Sequence, residues 1–247
     1  MKNGEIAPLA RYFSGRITPA FFAHLFKAVC KRHHRELIPL FRRVVPADAI
    51  VFDVGAHAGQ FTKLFARLAP KGFVFALEPQ SYARTILRTA IFLNRLNNVA
   101  ILPLGLGEKA GVALLSLPVK RSGSYGFGLA HIGKEDGRKS ETEAVAIAAL
   151  DDLVAVLRLD RLDLIKADIE GFELRLIKGA RQTLIRLKPA LYLEMNAAHL
   201  ARAGDRLDEA WALLTELGYR AHEASLEHPL AALTTPREGD VLWLAQG

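Results

Sequence analysis

The chain has 247 residues, of which 51% are apolar and 24% are charged, a composition that is typical of a globular protein and excludes disordered and fibrous classes. Its only cysteine, Cys30, excludes an internal disulfide framework and favours a reducing compartment. No apolar stretch reaches the ~18 residues of a membrane-spanning helix, and residues 1–10 lack the apolar region of a secretory signal. The sequence therefore predicts a soluble, cytoplasmic protein.

The first segment, residues 1–48, is predicted to be a basic helical appendage. It carries nine Lys and Arg side chains against three Asp and Glu, and so holds six of the seven net positive charges. Apolar residues recur at helical spacing in Phe21–Val29 and Leu37–Val44. The charge predicts an anionic partner, either a membrane surface or a phosphorylated glycan; a solvated basic cover over the sheet is the alternative. His33 and His34, in the basic run KRHHRE, are predicted to be solvated rather than to bind a ligand.

From residue 50 the sequence alternates between apolar strands and amphipathic helices. Strands are predicted at 50–55, 72–78, 99–105, 162–169 and 189–195, and helices at 60–69, 81–96, 150–159, 172–187 and 205–218. These strands are apolar on both faces, which is typical of a parallel sheet that helices cover on both sides. Residues 49–247 are therefore predicted to form one doubly wound α/β domain.

Two parts of this domain depart from the alternation. Between residues 106 and 150, two predicted strands, GVALLSLP and ETEAVAIAAL, flank a polar, glycine-rich loop. Near the carboxyl end, YRAHEAS and DVLWLAQ are predicted to form a terminal hairpin. The predicted domain is thus a mostly parallel sheet with an internal excursion and an antiparallel end.

The segment VFDVGAHAGQ, residues 51–60, ends the first strand and begins the next helix with a turn of small residues. In doubly wound sheets, ligands bind beyond the carboxyl ends of the strands, and Gly55 and Gly59 allow a ligand to approach the backbone. The spacing D-x-G-x-x-x-G differs from the dinucleotide fingerprint G-x-G-x-x-G. Asp53, two residues before the first glycine, suits a cationic ligand better than a pyrophosphate. His57 lies inside the turn and is predicted to contact the ligand through its backbone.

Glu78 ends the second predicted strand, 25 residues after Asp53, where a carboxylate can bind the hydroxyls of a ribose. The two acids and the glycine turn together fit a ligand with a ribose, an adenine and a cationic amino acid moiety. S-adenosylmethionine has these parts. The alternative is structural, with Asp53 as a turn residue and Glu78 as an ordinary acid at a strand end.

More acids follow later strands. Asp168, Glu170 and Glu173 come after the fourth strand of the alternating series, and Glu194 ends the fifth. Carboxylates gathered at one rim repel one another unless a cation, a basic substrate or a shifted pKa relieves the repulsion. A divalent metal between Asp168 and Glu194 is compatible with the sequence, although no ligand spacing requires it. Lys166, inside an apolar strand, is predicted to pair with a nearby acid.

Four motifs in order, VFDVGAHAGQFT, ALEPQ, LIKADIEGFELRLIKGA and LYLEMN, resemble the FkbM-type methyltransferase family over about residues 50–195. The resemblance implies a class I, Rossmann-like fold with a seven-stranded, mostly parallel sheet and an antiparallel C-terminal strand. It also implies S-adenosylmethionine as the methyl donor. The acceptor would be a hydroxyl of a sugar, glycan or sugar-like natural product. Matched to this sequence, the family pattern and its immediate neighbours predict cofactor contacts from Asp53, Gly55, Ala56, His57, Gly59, Glu78, Pro79 and Asp168.

Two positions depart from the family pattern. His57 stands where the family commonly has asparagine. The segment LGLGE after the third strand has no acid placed to hold the adenine amino group, because Glu108 comes too late. Adenine binding is therefore predicted to rest on backbone groups. The insert around Ser122–Gly128 resembles the family segment that varies over the acceptor side.

Methyl transfer to a hydroxyl requires removal of the hydroxyl proton, and the candidate bases, in falling order, are Glu170, Glu194, Asp168 and His199. A nucleotide-dependent oxidoreductase is one alternative, which the glycine spacing disfavours. A nucleic-acid methyltransferase is another; the low net charge of residues 49–247 and the lack of an N-P-P-Y-type tetrapeptide disfavour it. A non-catalytic binding module is a third. We predict an S-adenosylmethionine-dependent O-methyltransferase that acts on a small-molecule or glycan acceptor.

Overall fold

A computed structural model describes residues 19–31, 33–118, 131–132, 140–225 and 230–246. The predicted variable insert at Ser122–Gly128 lies outside these ranges. In the described part of the chain, no helix is both long enough and apolar enough to cross a bilayer.

The helices are α1 (Pro19–Cys30), α2 (Ile38–Phe41), α3 (Gln60–Leu68), α4 (Ser81–Leu93), α5 (Leu150–Val156), α6 (Glu173–Lys178), α7 (Arg181–Leu187), α8 (Ala197–Ala203) and α9 (Leu207–Glu216). The strands are β1 (Ile50–Val54), β2 (Phe73–Leu77), β3 (Val99–Leu102), β4 (Leu104–Leu106), β5 (Gly111–Pro118), β6 (His131–Ile132), β7 (Ser140–Ala148), β8 (Leu164–Ala167), β9 (Ala190–Met195), β10 (Tyr219–Glu223) and β11 (Gly239–Ala245).

Seven strands form the central sheet in the order β10-β11-β9-β8-β1-β2-β3. Strands β1, β2, β3, β8 and β9 pair in parallel, whereas β11 is antiparallel to both β9 and β10. This confirms the predicted doubly wound, mostly parallel sheet with an antiparallel C-terminal strand. The strand order reverses between β1 and β8, and in such sheets the ligand crevice lies outside the strand ends at that point.

Helices cover both faces of the sheet. Successive side chains of a strand point to opposite sides, so each apolar strand contributes to the core on both faces. In β1, Phe52 and Val54 belong to the cluster that contains side chains of α5, α6, α7 and α9. Val51, between them, belongs to the opposite cluster, which contains side chains of α2 and α3. The fully apolar strands of the sequence are therefore explained by burial on both sides.

The described part of the N-terminal segment contains helices α1 and α2, as predicted; α1 packs against α4, and α2 packs onto the sheet. Leu40 and Phe41 of α2 are fully buried in the cluster that includes Phe65 of α3. Lys63 of α3 donates hydrogen bonds from its ammonium to backbone carbonyls at the end of α1, including that of Lys31 at 3.0 Å. The division of the chain at residue 48 stays a prediction.

The internal excursion forms a second sheet in the order β4-β7-β5-β6. The two predicted strands appear as the antiparallel pair β5 and β7. The single strand predicted at 99–105 is wrong, because β3 lies in the central sheet and β4 lies in the second one. Pro103 separates the two, and proline has no N–H to continue a ladder.

The single helix predicted at 172–187 is also wrong, because α6 ends at Lys178 and a second helix, α7, begins at Arg181. The carboxylate of Asp151 accepts hydrogen bonds from the N–H groups of Gln182 and Thr183, at 3.1 and 2.7 Å. A side chain that satisfies the first amides of a helix fixes its start. The capping residue is thirty residues away in the chain, so local periodicity does not reveal it.

Candidate functional site

A cavity opens at the carboxyl ends of β1, β2 and β8, at the point where the strand order reverses. Its lining includes seven residues that the sequence predicts for the site, namely Gly55, Ala56, His57, Glu78, Pro79, Asp168 and Glu170. The other predicted site residues, Asp53, Gly59, Glu194 and His199, lie near it without lining it. The lining is completed by His34, Val54, Gln60, Phe61, Gln80, Gly105, Leu106, Leu115, Ile147, Lys166, Ile169 and Phe172.

The glycine turn after β1 brings backbone to the edge of the cavity. Gly55 has a φ of +71°, and a Cβ added to it would lie 2.1 Å from the carbonyl oxygen of Asp168. Gly59 has a φ of +83° and is the N-cap of α3. The N–H groups of Gly55 and Ala56 both point back to the carbonyl of Leu77, each at 3.0 Å. Glycine is required at position 55 because the tips of β1 and β8 approach too closely for a side chain.

Glu78, just after β2, ties that turn to the next helix. One carboxylate oxygen accepts the N–H of His57 at 2.7 Å, and the other accepts the N–H of Gln80 at 2.8 Å. His57 has a left-handed φ of 51°. Burial raises the pKa of Glu78 to about 7, against the opposing effect of the two N–H donors. A carboxylate held in this way can still accept hydroxyl donors, because each oxygen has a further lone pair.

Asp53 lies fully buried inside β1, below the glycine turn. It accepts a hydrogen bond from the hydroxyl of Thr62 at 2.5 Å, and its other oxygen is 3.6 Å from the ammonium of Lys166. The same ammonium is 3.9 Å from Asp168 and lies 5.1 Å from the centroid of the Phe61 ring. The prediction that Lys166 pairs with a nearby acid is confirmed, and this ion pair fixes the strand tips that carry the turn.

The carboxylates of Asp168 and Glu194 lie next to each other at the ends of β8 and β9. Burial raises the pKa of Glu194 to about 8. The charge of Asp168 and a hydrogen bond with its side chain act in the same direction. The raised pKa of Glu194 is the response expected when carboxylates gather at one rim of the sheet. Among the described residues, no group of three or more His, Cys, Asp or Glu side chains is arranged to hold a metal ion. A divalent metal between these two acids stays a prediction.

Glu170 is held by two basic side chains from α8, a helix that sequence periodicity missed. One of its oxygens is 3.1 Å from Nδ1 of His199 and 3.3 Å from the guanidinium of Arg202. The side chain of Asn196 caps α8 by accepting the N–H of His199 at 3.0 Å. Gly171 lets this helix approach, since a Cβ there would be 2.2 Å from the carbonyl oxygen of His199. The structure therefore joins two of the predicted catalytic residues, Glu170 and His199.

The wall beyond Glu78 is apolar. It is formed by Leu106, Leu115 and Ile147, with Phe172 beside them. Gly105 keeps this wall open, because a Cβ there would lie 3.0 Å from the Ile147 side chain. Apolar side chains of this kind can pack against an aromatic ring, and Glu108 of LGLGE does not line the cavity.

The prediction that His34 is solvated is wrong. Its ring stacks on the Phe61 ring, with centroids 4.0 Å apart and an interplanar angle of 10°, and it lines the cavity. The basic N-terminal segment thus contributes a wall of the site. Sequence reasoning missed His34 because the contact joins residues that are distant in the chain; a backbone φ of 56° at His34 is a feature that only the structure shows.

Comparison with known proteins decides the family. The profile of the methyltransferase FkbM domain matches residues 53–221, more than half of the chain. The chain belongs to the FkbM methyltransferase family. It is therefore an S-adenosylmethionine-dependent methyltransferase, and the alternative of a nucleotide-dependent oxidoreductase is set aside.

Individual relatives of this FkbM methyltransferase are distant. Methyltransferase sdnD of Sordaria araneosa is 29% identical over 199 residues, which cover 71% of this chain and 74% of the relative. The 2-O-methyltransferase NoeI of Sinorhizobium fredii is 23% identical over 164 residues, which cover 63% of this chain and 65% of the relative. A solved FkbM methyltransferase from Methylobacillus flagellatus has a TM-score of 0.51 at 18% identity; the match covers 92% of this chain but 58% of that one. This likeness shows a shared fold.

Glu173, which begins α6, gives the FkbM methyltransferase a pH-dependent stability. Its carboxylate is buried and accepts the N–H of Ile169 at 3.1 Å. Burial raises its pKa from 4.5 to about 7. A raised pKa means that the folded state holds a proton that the unfolded state releases, so this stabilisation is lost as the pH rises from about 4.5 through about 7. Since one pKa unit corresponds to about 1.4 kcal/mol, the shift is worth about 3 kcal/mol.

We expect Glu173→Gln to flatten the pH dependence of stability. Glutamine is neutral at every pH and keeps an oxygen for the N–H of Ile169. The loss of unfolding free energy between pH 5 and pH 8, measured by urea denaturation, should be about 2.5 kcal/mol smaller in the variant than in the parent. Glu209→Gln, at a surface carboxylate paired with Lys178, is the matched control and should leave the pH slope unchanged. Equal slopes for Glu173→Gln and the parent would contradict this account.

Proposed function

We propose that the protein transfers a methyl group from S-adenosylmethionine to a hydroxyl of a sugar, glycan or sugar-like natural product. The observation that carries the proposal is the arrangement of one cavity. The turn after β1, with Gly55 and Ala56, lies between the end of β2, which carries the buried carboxylate of Glu78, and the end of β8, which is followed by Asp168 and Glu170.

The cavity fits the cofactor by its shape and chemistry. The backbone of Asp168 fills the position that a Cβ of Gly55 would take, so the glycine lets the tips of β1 and β8 close together at the cavity, where the amino acid moiety would bind. Glu78 would hold the ribose hydroxyls, and the apolar wall around Leu106 and Ile147 would hold the adenine. Asp168, whose side chain is 46% exposed, would face the cationic end. When bound, S-adenosylmethionine supplies an electrophilic methyl group on a sulfonium.

The chain's own contribution to the reaction is orientation and proton removal. Methyl transfer would form a bond between the acceptor oxygen and the methyl carbon, and the electron pair of the broken carbon–sulfur bond would stay on sulfur. The hydroxyl proton must then leave the acceptor oxygen. Glu170 is the first candidate to take it, because it lines the cavity and one of its oxygens is already held by His199 and Arg202. Its other oxygen remains for the acceptor.

Two points support a hydroxyl acceptor. The rim offers several carboxylates, which can accept protons from hydroxyls and orient a polyol. One relative is named as a 2-O-methyltransferase. Both points favour an oxygen nucleophile that belongs to a polyhydroxylated molecule.

The acceptor class can be tested with S-adenosylmethionine labelled in its methyl group. The protein would be incubated with a panel of methyl glycosides and, separately, with amines and carboxylic acids of similar size. We expect label on a sugar hydroxyl, located by NMR of the product. Label that enters only amines or carboxylates, with no glycoside modified, would overturn the sugar O-methylation proposal while leaving the family assignment intact.

Replacing Glu78 with alanine tests the cofactor side. Glu78→Ala removes the proposed ribose contact and leaves the N–H groups of His57 and Gln80 without their acceptor. Because hydrogen bonds to a charged group are worth about 1.5–3 kcal/mol each, we expect S-adenosylhomocysteine to bind at least about 100-fold more weakly by calorimetry. Glu143→Ala is the matched control: Glu143 also accepts a backbone N–H, from Ser81 at 3.1 Å, but does not line the cavity. Unchanged affinity in Glu78→Ala would remove Glu78 from the site.

A further inference from the structure

The two helices α1 and α4 form a surface without acidic residues. Residues 19–35 and 79–98 contain seven Lys and Arg and no Asp or Glu. The helices lie side by side, as shown by the packing of Ala28 with Tyr82, Ile86 and Ala90. Their carboxyl ends also meet, since the side chain of Asn94 donates to the carbonyl of Val29 at 3.3 Å. The excess of basic residues in the N-terminal segment therefore extends onto the neighbouring helix α4.

Large apolar side chains are exposed on the same two helices. In α1, Phe21 and Leu25 pack against α4, whereas Phe22 and Phe26, one turn apart, are 58% and 69% exposed. A helix that is apolar on its buried side needs no further phenylalanines on its outer side. Their exposure costs free energy in water unless another surface covers them.

Helix α4 repeats this arrangement. Leu87 and Ile91 belong to a cluster on the sheet side, and Ile86 and Ala90 face α1. Phe92 and Leu93 belong to neither cluster and are 78% and 53% exposed. Four exposed basic residues accompany these apolar side chains. We define the α1–α4 face by Phe22, Phe26, Phe92 and Leu93 together with Lys27, Lys31, Arg88 and Arg95.

We propose that the α1–α4 face docks on an anionic lipid bilayer. Phenylalanines that enter the interface, with Lys and Arg around them, are the combination that binds peripheral proteins to acidic lipid. The absence of Asp and Glu from both helices removes the repulsion that such a surface would otherwise exert. The segment that follows α1 reaches the cavity through His34, so docking would bring a surface-bound acceptor to the site.

Vesicle co-sedimentation of the full chain tests the proposal. Phosphatidylcholine vesicles would be compared with vesicles in which a third of the lipid is phosphatidylglycerol, at low and at high salt. We expect at least about tenfold stronger binding to the anionic vesicles, and a loss of that preference at high salt. Equal binding to the two kinds of vesicle, or no binding to either, would overturn the proposal.

Variants distinguish docking by the α1–α4 face from nonspecific hydrophobic binding to vesicles. The double variant F22S/F26S should bind anionic vesicles at least about tenfold more weakly, with an unchanged circular dichroism spectrum. The control V156S/I185S changes exposed apolar residues of another adjacent helix pair, α5 and α7, and should bind as the parent does. Binding by F22S/F26S at the parent's level would contradict the proposal. So would sedimentation of the parent as a dimer and of F22S/F26S as a monomer, because the face would then bind a second copy.

Discussion

Gly55→Ala is expected to weaken the binding of S-adenosylhomocysteine by at least about 100-fold and to lower the thermal midpoint by several degrees. The alanine Cβ would lie 2.1 Å from the carbonyl oxygen of Asp168, a distance at which two atoms overlap. The backbone φ of +71° adds about 1–2 kcal/mol for an L-residue. The tips of β1 and β8 must then separate, and both the turn and Asp168 move away from the cavity.

The matched control for this change is Gly111→Ala. Nothing lies within 4 Å of a Cβ at Gly111, so the substitution should leave affinity and thermal midpoint close to those of the parent. If Gly55→Ala does not fold, Gly59→Ala serves in its place, because its Cβ would meet only the flexible end of Leu87 at 2.6 Å; there we expect a smaller, measurable loss. Affinity within threefold of the parent in whichever turn variant folds would contradict a role of the glycine turn in cofactor binding.

Glu170→Gln is expected to lower turnover by about 10²- to 10⁴-fold, the usual contribution of a general base, with S-adenosylhomocysteine affinity unchanged. Glutamine keeps the shape of the side chain and can still contact Arg202, but it cannot take a proton. Turnover would be followed with labelled methyl donor and the acceptor identified from the glycoside panel.

The pH profile distinguishes a base from a structural role. Burial raises the pKa of Glu170 above its usual value, although His199 and Arg202 oppose the shift. Because the base works in its ionised form, activity of the parent should rise with pH through that pKa, and the residual activity of Glu170→Gln should lack this rise. Glu216→Gln, at a surface carboxylate paired with Arg181, is the control. Full turnover in Glu170→Gln would transfer the role to Glu194, Asp168 or His199.

Much of the sheet could be predicted because its information is local. Apolar strands with helical segments between them specify the parallel order, and Asp53, the glycine turn and Glu78 mark two adjacent strand ends. What the sequence did not reveal depends on contacts between distant residues. Asp151 caps a helix that begins thirty residues later, and the His34 ring stacks on Phe61, which lies beyond the first strand.

The acids of the site were also predicted only in part. Sequence spacing placed Asp168, Glu170 and Glu194 at one rim, and the structure brings them together. The sequence did not reveal the different surroundings of each acid. Asp53 is occupied by Thr62 and Lys166 inside the strand, so its direct contact with the cofactor stays a prediction.

A crystal structure with S-adenosylhomocysteine tests the central claim most directly. We expect the ribose hydroxyls against Glu78, the amino acid moiety beside Gly55, and the sulfur facing Asp168 and Glu170. A nucleoside bound elsewhere, or bound with its sulfur turned away from these acids, would contradict it.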